Sequence, residues 1–142
     1  MDLDPQGILI IIIQIAAFLL LLIGVYPSKA REKAENLVKH GFLSTIALAM
    51  NLITVFVVMI PVFLKILGGA STYVPVFFPL LLGHVIIGAV TLGSSILMVV
   101  SWFLEPLTEL GCARKWRLMK PTLIIWGVSL IIGIAVHIFG LL

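Results

Sequence analysis

The sequence predicts an all-α integral membrane protein: one domain over residues 1–142, a four-transmembrane-helix bundle with both termini outside. Three observations carry that expectation. The chain is 62% hydrophobic and only 11% charged, where a soluble domain averages about a quarter charged. Its mean hydropathy is +1.29. The apolar residues gather in four runs, and the basic residues gather in alternate connections between them. A soluble fold of this size cannot hide so much apolar surface, so the expected solvent is lipid. The same composition excludes a disordered segment, a nucleic-acid-binding module and an ordinary soluble enzyme. The single cysteine, Cys112, excludes an internal disulfide.

The four spans are expected at about 7–26, 41–64, 79–104 and 121–142. Each reaches the roughly 20 residues that a helix needs to cross about 30 Å of hydrocarbon. Helices are favoured over a barrel because the runs do not alternate every second residue. Only Gln14 interrupts the first run. Pro61 is expected to kink the second near its end, and Pro121 to sit in the first turn of the fourth. The third apolar stretch begins as early as Val74, so Thr72 to Pro79 reads as an irregular or re-entrant lead-in, which Pro75 and Pro79 suit. Ser28-Lys29-Ala30 loosely resembles a signal-peptide cleavage site. The residues before the first run are acidic, however, and that run is long, so it reads as a retained helix.

Charge sets the expected orientation. Lys29, Arg31, Lys33 and Lys39 lie between the first two spans, and Arg114, Lys115, Arg117 and Lys120 between the last two. Only Lys65 belongs to the second connection, where its long side chain can snorkel outward. Asp2 and Asp4 precede the first span. By the positive-inside rule the first and third connections are cytoplasmic. The net charge of +3 is then a topology signal, with acidic lipid headgroups as neighbours and no nucleic acid.

Ionisable side chains inside a bilayer are costly and mark functional candidates. His84 lies five residues after Pro79, and His137 five residues before Leu142. At 1.5 Å per residue, both fall about 7 Å from the outer ends of antiparallel helices, at one depth. His84, Gly88, Thr91 and Ser95 share one helical face, and Ser129, Gly133 and His137 form a matching stripe. Gly88 and Gly133 each lie about one turn deeper than their histidines. Two axial nitrogens above a glycine-walled slot are what a flat macrocycle needs between two helices. His84 and His137 are therefore the expected ligands of the iron of one b-type haem, with Gly88 and Gly133 lining the site. Small residues on one face also serve close helix packing alone, and a buried histidine can simply bond a carbonyl.

His40 opens the second span at the cytoplasmic side, roughly 20–25 Å away, and cannot complete that site. It reads as an interfacial residue, as a proton-exchange group, or as a ligand at a possible second site. A second haem there would need Met119 or Lys115 as its partner. Gln14 and Asn51 can be satisfied by helix–helix hydrogen bonds. Glu105 and Glu109 read as solvated beside the basic connection, and Cys112 as a plain thiol. Trp102 and Trp116 are expected in an inner aromatic belt, with Trp126 packed in the fourth helix. No nucleotide-binding loop, zinc spacing or activated nucleophile is evident.

Several short motifs carry a family likeness. They are Lys39-His40 before a long apolar helix, Gly83-His84-Val85 opening the third span, and Lys120-Pro121-Thr122 followed by Trp126 and Gly133. In these the chain resembles the CtaM/YozB-like family of small four-helix prokaryotic membrane proteins, some linked to maturation of haem–copper cytochrome oxidases. The likeness covers helices two to four, about the last hundred residues. It implies a multi-pass protein of a prokaryotic cell membrane, with His40 and His84 at positions of typical family histidines. Two departures stand out. The family carries a further histidine where Lys115 stands here, and an aromatic residue at the position of His137.

Three functions follow as expectations. The first is a cytochrome b-like electron-transfer subunit, rather than a stand-alone enzyme, passing electrons between a lipid-soluble, quinone-like carrier and an acceptor on the outer face. A single outer haem cannot carry electrons across the bilayer, so a larger redox complex or an extracytoplasmic cytochrome is the implied partner. The second is an accessory or assembly factor of a respiratory complex, as the resemblance implies. The third is a purely structural subunit.

Overall fold

The computed structural model describes residues 5–28, 34–68, 78–104 and 109–140. Within them, α1 spans Pro5–Ser28 and α2 spans Ala34–Thr54. A π turn over Val55–Met59 leads into α3, Ile60–Leu67. Helices α4, Phe78–Leu104, and α5, Glu109–Gly140, complete the order. All of it is helical, as runs this apolar require: a backbone wrapped in apolar side chains must satisfy its N–H and C=O groups within its own segment.

Among the described residues, four stretches are long and apolar enough to cross a membrane: Gly7–Gly24, Val38–Leu67, Phe78–Leu104 and Leu118–Ile138. They correspond to the four apolar runs of the sequence. Helix α1 packs chiefly on α2, and α4 on α5. The two hairpins meet through α2–α4 and α1–α5, which closes a four-cornered bundle. One end, called the basic end here, carries Gly24, Lys39, His40, Trp102 and Lys120. The opposite end carries Gly7, His84 and His137.

Beside Leu48, Leu81 and Trp126, the interior is largely small or polar, and large apolar side chains cover the outside. Gln14, His40, Asn51, Thr91, Ser95, Thr122 and Ser129 are buried, whereas Leu9, Ile12, Phe56, Leu97 and Ile131 are exposed. Three of the buried hydroxyls cost little, because each bonds a carbonyl one turn back: Thr91 to Ile87, Ser95 to Thr91 and Thr122 to Leu118, at 2.8 Å in each case. Small side chains at the centre let the helices approach closely.

Three local readings change. Helix α5 begins at Glu109, so the basic stretch before Pro121 is helical rather than a connecting loop. Lys and Arg are good helix formers, and Pro121 sits inside the helix instead of opening it. Helix α2 likewise begins at Ala34, which places His40 inside the helix. At Pro61 the chain forms a π turn just upstream, in which the Ile60 N–H donates to the carbonyl of Val55. Proline has no N–H to give the carbonyl four residues back, and widening the preceding turn accommodates that loss. The expected lead-in from Thr72 lies outside the described residues as far as Phe77, and α4 starts at Phe78. Glu105 also lies outside them.

Candidate functional site

Each histidine meets a glycine or a carbonyl of a neighbouring helix. The His40 ring on α2 lies against Gly24 of α1, and its Nδ1–H donates to the Gly24 carbonyl at 2.9 Å. The His84 ring on α4 lies against Gly133 of α5, and its Nδ1–H donates to the Ser129 carbonyl at 3.0 Å. A carbonyl can only accept, so Nδ1 carries the proton in both and the neutral ring keeps its lone pair on Nε2. Ligating histidines are commonly held this way, with one nitrogen on a backbone oxygen and the other presented to a metal.

His137 differs. Its ring lies directly on Gly7 of α1, where any Cβ would overlap it. Like Nε2 of Gln14, for which the sequence predicts a bond between helices, Nε2 of His137 is buried with no hydrogen-bond partner. A buried polar atom left unsatisfied costs about 1–3 kcal/mol, so this nitrogen calls for an explanation.

The two stripes expected to face each other do meet. Gly88 lies opposite Ser129, where a Cβ would come 3.6 Å from the hydroxyl oxygen, an ordinary contact. At Gly133 a Cβ would come within 2.8 Å of His84 Cε1, so the ring fills the hollow that the glycine provides. His84 is thus turned toward α5, while His137 is turned toward α1. Among the described residues no hydrogen bond joins the two imidazoles.

A second constellation sits at the basic end, where all four corners of the bundle border one partly open cavity of about 70 Å³. His40 and Ser44 come from α2, Trp102 and Ser95 from α4, and Met119, Thr122 and Trp126 from α5. The Trp102 indole lies across Gly41, where any Cβ would overlap the ring, and its Nε1–H is buried with no acceptor. Trp102 therefore belongs to the interior of the bundle end rather than to a surface belt. Trp126, only 4% exposed, is packed as expected.

Composition hid most of this site. Trp102, Ser44 and Thr122 belong to different helices, and only a three-dimensional arrangement brings them to His40. One signal was present: Met119 and Trp102 fall at the level of His40 by helical rise, and Gly41 adjoins it.

Neither a protein-family model, nor a curated protein, nor a solved structure matches the chain.

Proposed function

We propose that the chain is a multi-pass membrane protein with its basic end toward the cytoplasm and both termini outside. It serves as a cytochrome b-like electron-transfer subunit, holding one b-type haem near the outer face through His84 and His137. The observation that carries this reading is the buried, unpartnered Nε2 of His137, a costly state that ligation would relieve once the ring turned from Gly7 toward the seam holding His84. His84 supports it, because the Ser129 carbonyl fixes its tautomer and leaves Nε2 as the ligating atom. Gly133 seats the His84 ring, and Gly88 faces Ser129 across the same seam.

The haem would supply one-electron transfer, and the chain would supply ligation, orientation and a low-dielectric seam that tunes the potential. Electrons would enter from a lipid-soluble carrier and leave to an extracytoplasmic or complex-bound partner. A second reading, an accessory or assembly factor or a purely structural subunit, is favoured by the seating of His84 on Gly133 and of His137 over Gly7, a fit that helix packing alone produces.

The test is a dithionite-reduced minus air-oxidised spectrum of the detergent-purified protein, with haem quantified after extraction. Sharp α and Soret bands, lost in His137→Ala, are the expected result. A featureless spectrum from folded protein overturns the cytochrome reading and leaves the accessory or structural one.

A further inference from the structure

We propose that the cavity at the basic end binds the head group of a lipid-soluble quinol, with one phenolic hydroxyl held between His40 and Trp102. The inference rests on the membrane placement proposed above and is independent of the haem ligands.

Beside the Ser44 hydroxyl, the wall offers two complementary ring nitrogens. His40 commits Nδ1–H to the Gly24 carbonyl, which leaves Nε2 as an acceptor on a side chain that lines the cavity. Trp102, on the same wall, carries a buried N–H that no acceptor meets. The hydroxyls of Ser95 and Thr122 are already spent, since both donate to carbonyls of their own helices. A group that both donates and accepts would satisfy His40 and Trp102 together. A hydroxyl does this with a single oxygen: it accepts from the indole N–H and donates to the imidazole.

The rest of the lining decides what carries that hydroxyl. Two indoles, Trp102 and Trp126, and the thioether of Met119 border the space, a surface suited to the face of an aromatic ring. Among the described residues no Lys, Arg, Asp or Glu lines the cavity, a lining that favours a neutral ligand. The volume of about 70 Å³ is well below the roughly 300–1,000 Å³ that encloses a drug-sized ligand. It admits the edge of a ring rather than a whole macrocycle, and its open side leaves room for a tail. The oxidised quinone has no hydrogen to give His40, so the site prefers the reduced form.

The full chain in mild detergent, incubated under argon with a short-tailed naphthoquinol and then passed over a sizing column, provides the test. Quinol retained with the protein is extracted and quantified. Saturable retention is expected, weakened about tenfold in Trp102→Phe, which removes the N–H donor while keeping an aromatic wall. His40→Ala has a similar effect, and the oxidised quinone binds more weakly than the quinol. Gly93→Ala, where the added carbon meets nothing within 4 Å, retains quinol normally, and saturable retention by haem-free protein separates this result from the haem reading. Retention no greater than that of empty micelles overturns the proposal, as does a Trp102→Phe protein that binds like the parent. Either result leaves water as the occupant of the cavity.

Discussion

The two ends of the bundle pair histidine with glycine in contrasting ways. At the end holding Gly7, His84 and His137, glycine is a floor on which an imidazole rests, and a methyl group there would collide with the ring. At the basic end, a Cβ on Gly24 would lie 3.5 Å from His40 Nδ1, an ordinary contact. The steep hollow at that end belongs to Gly41 and is taken by Trp102. His40 consequently borders open space, whereas His84 is pressed flat. The chemistry open to a histidine in this bundle is set less by its own burial than by which neighbour fills the nearest glycine hollow.

Substitutions at those glycines separate floor from bystander. Gly41→Ala and Gly7→Ala carry the largest expected effect, about 1–3 kcal/mol each, because a flat ring must leave its seat. The loss would appear as a lower unfolding midpoint in detergent. Pairing Gly41→Ala with Trp102→Leu, or Gly7→Ala with His137→Ala, should recover much of it in a double-mutant cycle, and additive losses would break the floor interpretation.

Removing an imidazole comes next. His40→Ala and His84→Ala each forfeit one interhelical hydrogen bond, worth about 1 kcal/mol net. His84→Ala should cost more, since it also empties the hollow at Gly133. Comparing their denaturation midpoints tests that order, and equal losses would erase the contrast between the ends. Gly93→Ala, with nothing within 4 Å of the added carbon, should stabilise α4 by about 0.5 kcal/mol through helix propensity. Gly24→Ala is expected to change least, within about 0.5 kcal/mol in either direction. A large loss there in the same melts would show that both ends use glycine alike.

The four apolar stretches were legible in the sequence because an apolar run of sufficient length has few alternatives to a helix. The facing stripes of α4 and α5 were legible too, since Gly88, Thr91, Ser95, Ser129 and Gly133 repeat with helical spacing. Helix ends were not. The basic stretch before Pro121 looks like a loop by charge, yet its residues favour a helix and charge marks sidedness rather than backbone form. The carbonyl partners of His40 and His84 were equally hidden, because a main-chain oxygen leaves no trace in residue identity. The direction in which His137 turns depends on α1, whose Gly7 is 130 positions away in the chain.

The π turn at Val55–Met59 makes one stretch of the chain tolerant of changes in length. A π turn holds one residue more than the α-helical turn it replaces, so it stores a surplus position between α2 and α3. Losing a single residue there would draw the turn into an ordinary helix and leave the His40 face of α2 in phase with α1. The same loss between Gly41 and Asn51 would rotate one half of the rod against the other by about 100°, pulling His40 from Gly24 or Asn51 from the interior. In the lineage of such a chain, insertions and deletions in this rod should gather at the π turn and spare the segment before it.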